Sequence, residues 1–141
     1  MSVSKVIKLI KEKEVEYVDL RFTDPRGKLQ HLTMDGKIVD EEMLSEGVFF
    51  DGSSIAGWKA INESDMILKP DLDRQIIDPF TSHNTLILFC DVLDAVKKNP
   101  YERDPRSIAK KAEAYLKKTG IGDKAYFGPE AEFFVFDDVR F

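Results

Sequence analysis

The sequence contains little cysteine, histidine or tryptophan and lacks a long hydrophobic run. Its 141 residues include one cysteine, two histidines and one tryptophan. A single cysteine excludes an internal disulfide framework and is typical of a reducing cytosol. The apolar runs are far shorter than the roughly 20 residues that span a bilayer, and the N-terminus has no signal-peptide block. We therefore expect a cytoplasmic protein without a membrane partner.

Basic residues are also in the minority. The 21 lysines and arginines are outnumbered by 26 aspartates and glutamates, which gives a formal net charge of −5. A nucleic-acid-binding surface would normally be basic, so we expect no nucleic-acid partner. Neither histidine has a metal partner in helical or strand register, and we expect His31 to face solvent from a strand.

Apolar periodicity in residues 1–103 predicts a domain of the α+β class. Helical spacing indicates an amphipathic helix over residues 4–14, and two alternating runs joined by a Pro-Gly turn indicate a hairpin over residues 15–34. Asp40 is placed to cap a short helix. The extended segments predicted after it cover residues 65–70, 75–79 and 85–91, the last of them central in its sheet.

Residues 104–141 are predicted to begin a second domain, after a connector over residues 94–103. Asp104 followed by proline is typical of a helix start, and Gly120 of a helix end. The predicted buried stripe of this helix consists of Ile108, Ala109, Ala112, Tyr115 and Leu116. The run 126–136 then predicts a strand that is buried on both faces. Because the chain stops just after this strand, we expect it to be a truncated piece of a longer protein.

The glycine- and serine-rich segment Asp51-Gly-Ser-Ser-Ile-Ala-Gly-Trp58 admits two interpretations. It is either a surface loop whose Trp58 packs back into the core, or a binding loop. In the second case the loop presents Asp51 to a site and anchors itself with Ile55 and Trp58. Composition alone favours neither interpretation.

Two carboxylates interrupt the final apolar run. Glu130 and Glu132 lie two residues apart, so a strand would place both on one face. Most Glu-x-Glu pairs are solvated charges, and a ragged terminal strand remains one interpretation. In an apolar frame, however, paired like charges are costly without a cation, which favours a hard divalent metal such as Mg²⁺ or Mn²⁺. Two carboxylates supply only part of its coordination shell.

Four segments together resemble bacterial type I glutamine synthetase, and the similarity covers the whole chain. They are Asp51-Gly-Ser-Ser-Ile-Ala-Gly-Trp58, Asn62-Glu-Ser-Asp-Met66, Arg103-Asp-Pro-Arg-Ser-Ile-Ala109 and Phe127-Gly-Pro-Glu-Ala-Glu-Phe-Phe134. The resemblance implies that residues 1–103 form the β-grasp (ubiquitin-like) domain of that family. Residues 104–141 would then be the first helix and strand of its catalytic domain.

The resemblance also implies roles for individual residues. Asp51 matches the acid that binds ammonium and takes its proton in the active site of a neighbouring subunit, and Ser54 lies in the same loop. Trp58 resembles the aromatic anchor at the subunit boundary. Glu130 and Glu132 match the glutamates that bind the paired divalent cations, and Ala131, where relatives often have proline, should leave that pair intact.

The implied activity is the ATP-dependent joining of glutamate and ammonium into glutamine through γ-glutamyl phosphate. The implied assembly is a homo-oligomer, a dodecamer of two hexameric rings. We expect the 141-residue chain to be inactive alone, because the ATP-contacting segments and the other metal ligands of the family lie beyond it. A non-catalytic β-grasp module for binding or assembly is the alternative.

Overall fold

The computed structural model describes residues 1–58 and 64–141. The first two residues of the segment that begins at Asn62 lie outside the described residues. Within the described part of the chain, no helix is long and apolar enough to cross a membrane.

A five-stranded mixed sheet forms the centre of the molecule. Its strands are β1 (Tyr17–Thr23), β2 (Leu29–Asp35), β3 (Val48–Asp51), β4 (Asp65–Ile77) and β5 (Thr85–Asp94). Their order in the sheet is β2-β1-β5-β4-β3. The pair of β1 and β5 is parallel and the other pairs are antiparallel. This arrangement confirms the predicted α+β class and the central position of β5.

One face of the sheet carries the hydrophobic core. Helix α1 (Val3–Glu12) buries Val6 and Ile10, and helix α2 (Glu41–Glu46) buries Leu44. The core residues that the central strands contribute include Val18, Leu20, Phe22, Leu86, Leu88, Cys90 and Val92. Each fully buried side chain of this size contributes about 1.5–3 kcal/mol to the free energy of folding. Cys90 is one of these buried core residues, and burial raises the pKa of its thiol.

The opposite face of β1 carries a polar network. Asp19 is 4% exposed and accepts hydrogen bonds from Arg21 Nε at 2.7 Å and Thr33 Oγ1 at 2.7 Å. His31 Nδ1 lies 2.8 Å from Asp19 Oδ1, while the His31 side chain remains mostly exposed. Burial raises the pKa of Asp19, but the hydrogen bonds from Arg21, His31 and Thr33 outweigh it and leave the pKa lowered. His31 thus faces solvent as predicted and also contacts a buried acid.

The helix ends predicted at Asp40, Asp104 and Gly120 are confirmed. The Asp40 carboxylate accepts from Met43 N at 2.8 Å at the start of α2. Helix α3 (Pro105–Thr119) is capped by Asp104 and ends at Gly120, whose φ is +70°. A left-handed residue at this position favours glycine, because glycine has no Cβ to clash.

Two predictions about the sheet and the connector were wrong. The predicted pieces 65–70 and 75–79 are not separate strands, because β4 runs from Asp65 to Ile77 with an irregularity between Pro70 and Gln75, and residues 78–79 lie outside it. The predicted connector 94–103 is part of the first folded unit, because Tyr101 is 8% exposed and packs in its core.

The predictions for the C-terminal part fail in two further respects. Four residues of the predicted buried stripe are exposed and Leu116 is half-buried, whereas Ser107 is the residue that α3 buries; the exposed four are Ile108, Ala109, Ala112 and Tyr115. Residues 126–136 form no strand and are exposed. A strand needs a partner for its backbone groups, and no strand in the described ranges pairs with this segment. The α3 helix is instead held by its Asp104 cap and by Arg106, which binds Asp71 and Asp91.

Candidate functional site

The Asp51 loop, residues 51–58, leaves the sheet at one edge. Asp51 is the last residue of the edge strand β3, and its register partner on β4 is Asp65. Both side chains are exposed. Directly opposed like charges on adjacent strands are unfavourable for sheet stability. They make this corner of the domain anionic, which suits a cationic ligand.

The turn that follows Asp51 sets the orientation and the pKa of its carboxylate. Asp51 caps the short 3₁₀ helix Gly52–Ser54, and its Oδ1 accepts from Ser53 N at 2.8 Å and Ser53 Oγ at 2.6 Å. These hydrogen bonds from Ser53, with smaller contributions from Ser64 and Ser54, lower the pKa of Asp51. The side chain is therefore ionised at neutral pH, and it is exposed to whatever approaches the loop.

Gly52 fixes the first half of the loop against β4. Its amide donates to the carbonyl of Ser64 at 2.7 Å. A Cβ at this position would lie 2.3 Å from Met66 Sδ and 3.0 Å from the Ser64 carbonyl oxygen. Only a residue without a side chain permits this approach, so Asp51 is held close to the sheet.

The second half of the loop is anchored by apolar side chains. Ile55 is 8% exposed and Trp58 is 5% exposed. The indole of Trp58 stacks on Phe22 at 5.6 Å between ring centroids and meets Phe50 edge-on at 6.1 Å. Trp58 thus packs into the core, as the first interpretation predicts, while Asp51 is exposed and Ile55 and Trp58 anchor the loop, as the second requires. The core position of Trp58 is confirmed, and a binding role for the loop stays a prediction.

Two residues that donate hydrogen bonds to this loop were not predicted from the sequence. Tyr101 Oη donates to the carbonyl of Trp58 at 3.0 Å, and Arg103 Nη1 donates to the carbonyl of Gly57 at 2.9 Å. Both belong to the segment assigned to a connector. Its apolar Pro-Tyr dipeptide was the available signal, but the partners lie more than 40 positions away along the chain.

Glu130 and Glu132 lie in the segment after α3, apart from the Asp51 loop, and both are exposed. Their carboxylate oxygens are suitable ligands for Mg²⁺ or Mn²⁺. Within residues 1–58 and 64–141, however, no group of three or more His, Cys, Asp or Glu side chains is placed to hold a metal. The two carboxylates are suitable ligands for a divalent cation, but they are too few to complete its coordination shell.

Comparison with protein families identifies the two parts of the chain. The family model for the glutamine synthetase β-grasp domain matches residues 14–95. The model for the glutamine synthetase catalytic domain matches residues 102–141. Together with the mixed sheet and its edge loop, these matches define the class: the chain belongs to the glutamine synthetase family.

Individual relatives agree with this assignment. The glutamine synthetase of Rhizobium meliloti is 63% identical over 138 residues, which is 98% of this chain and 29% of the relative. That of Methylococcus capsulatus is 61% identical over 140 residues, covering 99% of this chain and 30% of the relative. The chain therefore spans less than one third of the length of the curated relatives it matches.

A solved structure shares the fold. The Plasmodium falciparum glutamine synthetase, determined by electron cryomicroscopy, superposes with a TM-score of 0.79 at 27% identity. The match covers 88% of this chain and 24% of that one. The predicted β-grasp architecture is confirmed by this similarity and by the family model.

Proposed function

We propose that this chain is the N-terminal part of an ATP-dependent glutamate–ammonia ligase, with a β-grasp domain over residues 1–103 and the start of the catalytic domain over residues 104–141. The observation that carries the proposal is the Asp51 loop, which presents an ionised carboxylate at the surface while both of its ends are fixed. The single buried cysteine supports a cytoplasmic location.

In the proposed reaction, the γ-carboxylate of glutamate attacks the γ-phosphoryl group of ATP and gives γ-glutamyl phosphate and ADP. Ammonium loses one proton to Asp51, and the resulting ammonia attacks the acyl carbon. Phosphate leaves with the electrons of the carbon–oxygen bond, and the nitrogen, now positively charged, releases a second proton to solvent. The lowered pKa of Asp51 keeps the carboxylate charged for binding the cation. The same low pKa makes it a weak base, so the proton transfer is unfavourable by itself and proceeds because the acyl phosphate consumes the ammonia as it forms.

Asp51 needs an enclosed site to perform this task. An ion pair at 4 Å is worth about 1 kcal/mol in water and about 4 kcal/mol at the effective dielectric constant of a protein boundary. An exposed Asp51 therefore binds ammonium weakly in this chain alone. We propose that the loop enters the active site of a neighbouring subunit in a homo-oligomer of two hexameric rings, where the surroundings exclude water.

Ser54 and Trp58 are assigned supporting roles in the same loop. Ser54 is exposed beside Asp51 and contributes to its lowered pKa. Only 5% of the Trp58 surface is exposed to solvent. Trp58 therefore supports the loop at the subunit boundary by packing in the core beneath it. Its indole Nε1 has no hydrogen-bond partner among the described residues.

Glu130 and Glu132 are proposed to bind Mg²⁺ or Mn²⁺ as part of a site that other residues complete. A bound divalent cation would neutralise phosphoryl charge and align ATP with glutamate. In the 141-residue chain we expect dissociation constants of about 1 mM or weaker, because two carboxylates do not complete a coordination shell.

Titration with Mn²⁺ while the amide signals of residues 128–136 are followed by NMR measures this binding. Broadening should centre on these residues, disappear in the Glu130→Ala and Glu132→Ala variants, and persist in Glu113→Ala, which removes an exposed acid of α3. Tight binding that survives Glu130→Ala would show that this residue is not a ligand.

A non-catalytic assembly module is the second candidate. In this alternative the β-grasp domain itself serves in binding or assembly, which is favoured by its exposed apolar side chains, among them Leu29, Phe49, Ile76 and Phe80. Exposed apolar groups of this extent mark contact surfaces. The two candidates differ in their dependence on Asp51, since an assembly module is indifferent to the loss of that carboxylate.

A further inference from the structure

The C-terminal end of the Asp51 loop is held by polar contacts from one short segment, residues 101–104. Tyr101 Oη and Arg103 Nη1 donate to two successive backbone carbonyls, those of Trp58 and Gly57. The Tyr101 contact is buried and the Arg103 contact is exposed. The Tyr101 ring also meets the Trp58 indole edge-on, with 5.7 Å between ring centroids. Gly57 has a φ of +87°, so the chain turns sharply where these donors hold it.

The segment that supplies these donors is itself fixed to the core. Tyr101 N donates to the carbonyl of Val92 on β5 at 2.9 Å. Three residues on, Asp104 is fully buried and accepts from Ser107 N at 3.0 Å and from Ser107 Oγ at 2.8 Å. Residues 101–104 therefore form a short rigid bridge between the central strand and the start of α3.

Backbone carbonyls are acceptors that any loop sequence offers, so donors aimed at two of them in succession fix the path of the backbone. The other end of the loop is fixed by the hydrogen bond from Gly52 to Ser64 on β4. Asp51 itself precedes both attachments, at the end of β3, but Ser53 lies between them and donates its amide and hydroxyl to the Asp51 carboxylate. The orientation of that carboxylate therefore depends on both attachments. A loop released at Trp58 would keep the Asp51 backbone in β3 and would let Ser53 shift, so the carboxylate that Ser53 orients would turn away from its set direction.

We infer that Tyr101 and Arg103 are positioning residues for Asp51, which set the angle at which the loop presents its carboxylate to the neighbouring active site. This inference rests on the proposed function of Asp51. It also implies that the placement of the loop depends on the seating of α3, because Asp104 joins the same segment to that helix.

The test measures steady-state kinetics in the full-length enzyme that carries this N-terminal segment. Tyr101→Phe keeps the ring and removes the donor, and Arg103→Gln removes the guanidinium. We expect Tyr101→Phe to raise the KM for ammonium about three- to tenfold, and Arg103→Gln about twofold because its contact is exposed. The KM values for ATP and glutamate should stay within about twofold.

Two kinds of control distinguish a displaced Asp51 from a general loss of folded enzyme. Tyr17→Phe and Arg26→Gln make the same chemical changes at exposed positions on β1 and in the β1–β2 turn, and they should leave all three KM values unchanged. Hydroxylamine, an amine that is neutral near pH 7, replaces ammonium as the nucleophile in a parallel assay. A displaced Asp51 should impair the ammonium reaction more than the hydroxylamine reaction, whereas loss of folded enzyme lowers both equally.

Asp51→Asn provides the reference that distinguishes the inference from the proposed function. If Asp51→Asn leaves the KM for ammonium unchanged, the proposed function of Asp51 is wrong. If Asp51→Asn raises it while Tyr101→Phe does not, the positioning role is wrong and the function of Asp51 stands. An equal rise in all three KM values for Tyr101→Phe would likewise overturn the positioning role and leave a structural one.

Discussion

Replacing Asp51 by alanine in the full-length enzyme is expected to lower the rate of glutamine formation about 10²- to 10⁴-fold. The variant loses the charge that attracts ammonium and the group that accepts its proton, both of which act at the nitrogen. The affinities for ATP and glutamate should change by less than about twofold, because neither substrate contacts this carboxylate in the proposed site. Steady-state kinetics with each substrate varied in turn measures these effects.

The chain offers a matched control for this substitution. Asp35 is also exposed and also caps a 3₁₀ turn, Gly36–Ile38, with its Oδ1 accepting from Lys37 N at 2.8 Å. Asp35→Ala removes the same kind of cap at a position with no proposed catalytic role, so its activity should remain near that of the parent. Equal losses of affinity for ATP, glutamate and ammonium in Asp51→Ala would show that the Asp51 loop is structural.

Replacing Trp58 by alanine is expected to lower the free energy of unfolding of the chain by about 3–5 kcal/mol. The indole is 5% exposed and packs against Phe22, Phe50 and Tyr101. Its removal leaves a cavity that three aromatic rings cannot fill without moving. Since domains of this size are stable by about 5–15 kcal/mol, the variant should unfold at a much lower urea concentration. Circular dichroism is the suitable probe, because the substitution removes the tryptophan fluorescence.

Trp58→Phe is the informative companion variant. It retains an aromatic ring in the cluster and removes Nε1, which has no partner among the described residues. A buried donor without a partner destabilises the folded state, so its removal offsets part of the lost packing. We expect a loss well below that of Trp58→Ala. A loss under about 1 kcal/mol for Trp58→Ala itself would contradict the core position and indicate a surface role for the indole.

Local chemistry explains which parts of the fold could be predicted from the sequence. The α3 helix is capped by Asp104 and Gly120, and both were placed correctly. The α2 cap at Asp40 is of the same kind. These caps are formed by hydrogen bonds between residues a few positions apart. Such residues can therefore be recognised in the local sequence.

The features that were missed depend on distant partners. The Tyr101 contact with Trp58 joins residues 43 positions apart, and nothing in either local pattern predicts it. The run 126–136 has the composition of a buried strand, but the described residues provide no neighbouring strand to receive its hydrogen bonds. Burial and strand pairing are properties of the partners as much as of the segment, so composition alone overestimated both.

In the candidate site, too, the residue types could be predicted from the sequence, whereas the contacts with distant partners could not. The residue types at Asp51, Glu130 and Glu132 indicate cation binding, and the loop around Asp51 was singled out for its anchors at Ile55 and Trp58. The lowered pKa of Asp51 depends on the hydroxyl and amide of Ser53, which only the folded turn directs at one oxygen. The fixed position of the loop depends on Ser64, Tyr101 and Arg103, which the sequence did not connect to it.

We propose that Asp51 of one subunit works with Glu130 of its neighbour. The most direct measurement mixes two variants of the full-length enzyme, Asp51→Ala and Glu130→Ala, each inactive alone, and assays the co-assembled oligomers. If the loop enters the neighbouring active site, random assembly produces intact sites, and about one quarter of the parental activity should return. Co-assembled oligomers that remain inactive would contradict the claim, because every site would then contain one damaged residue from its own subunit.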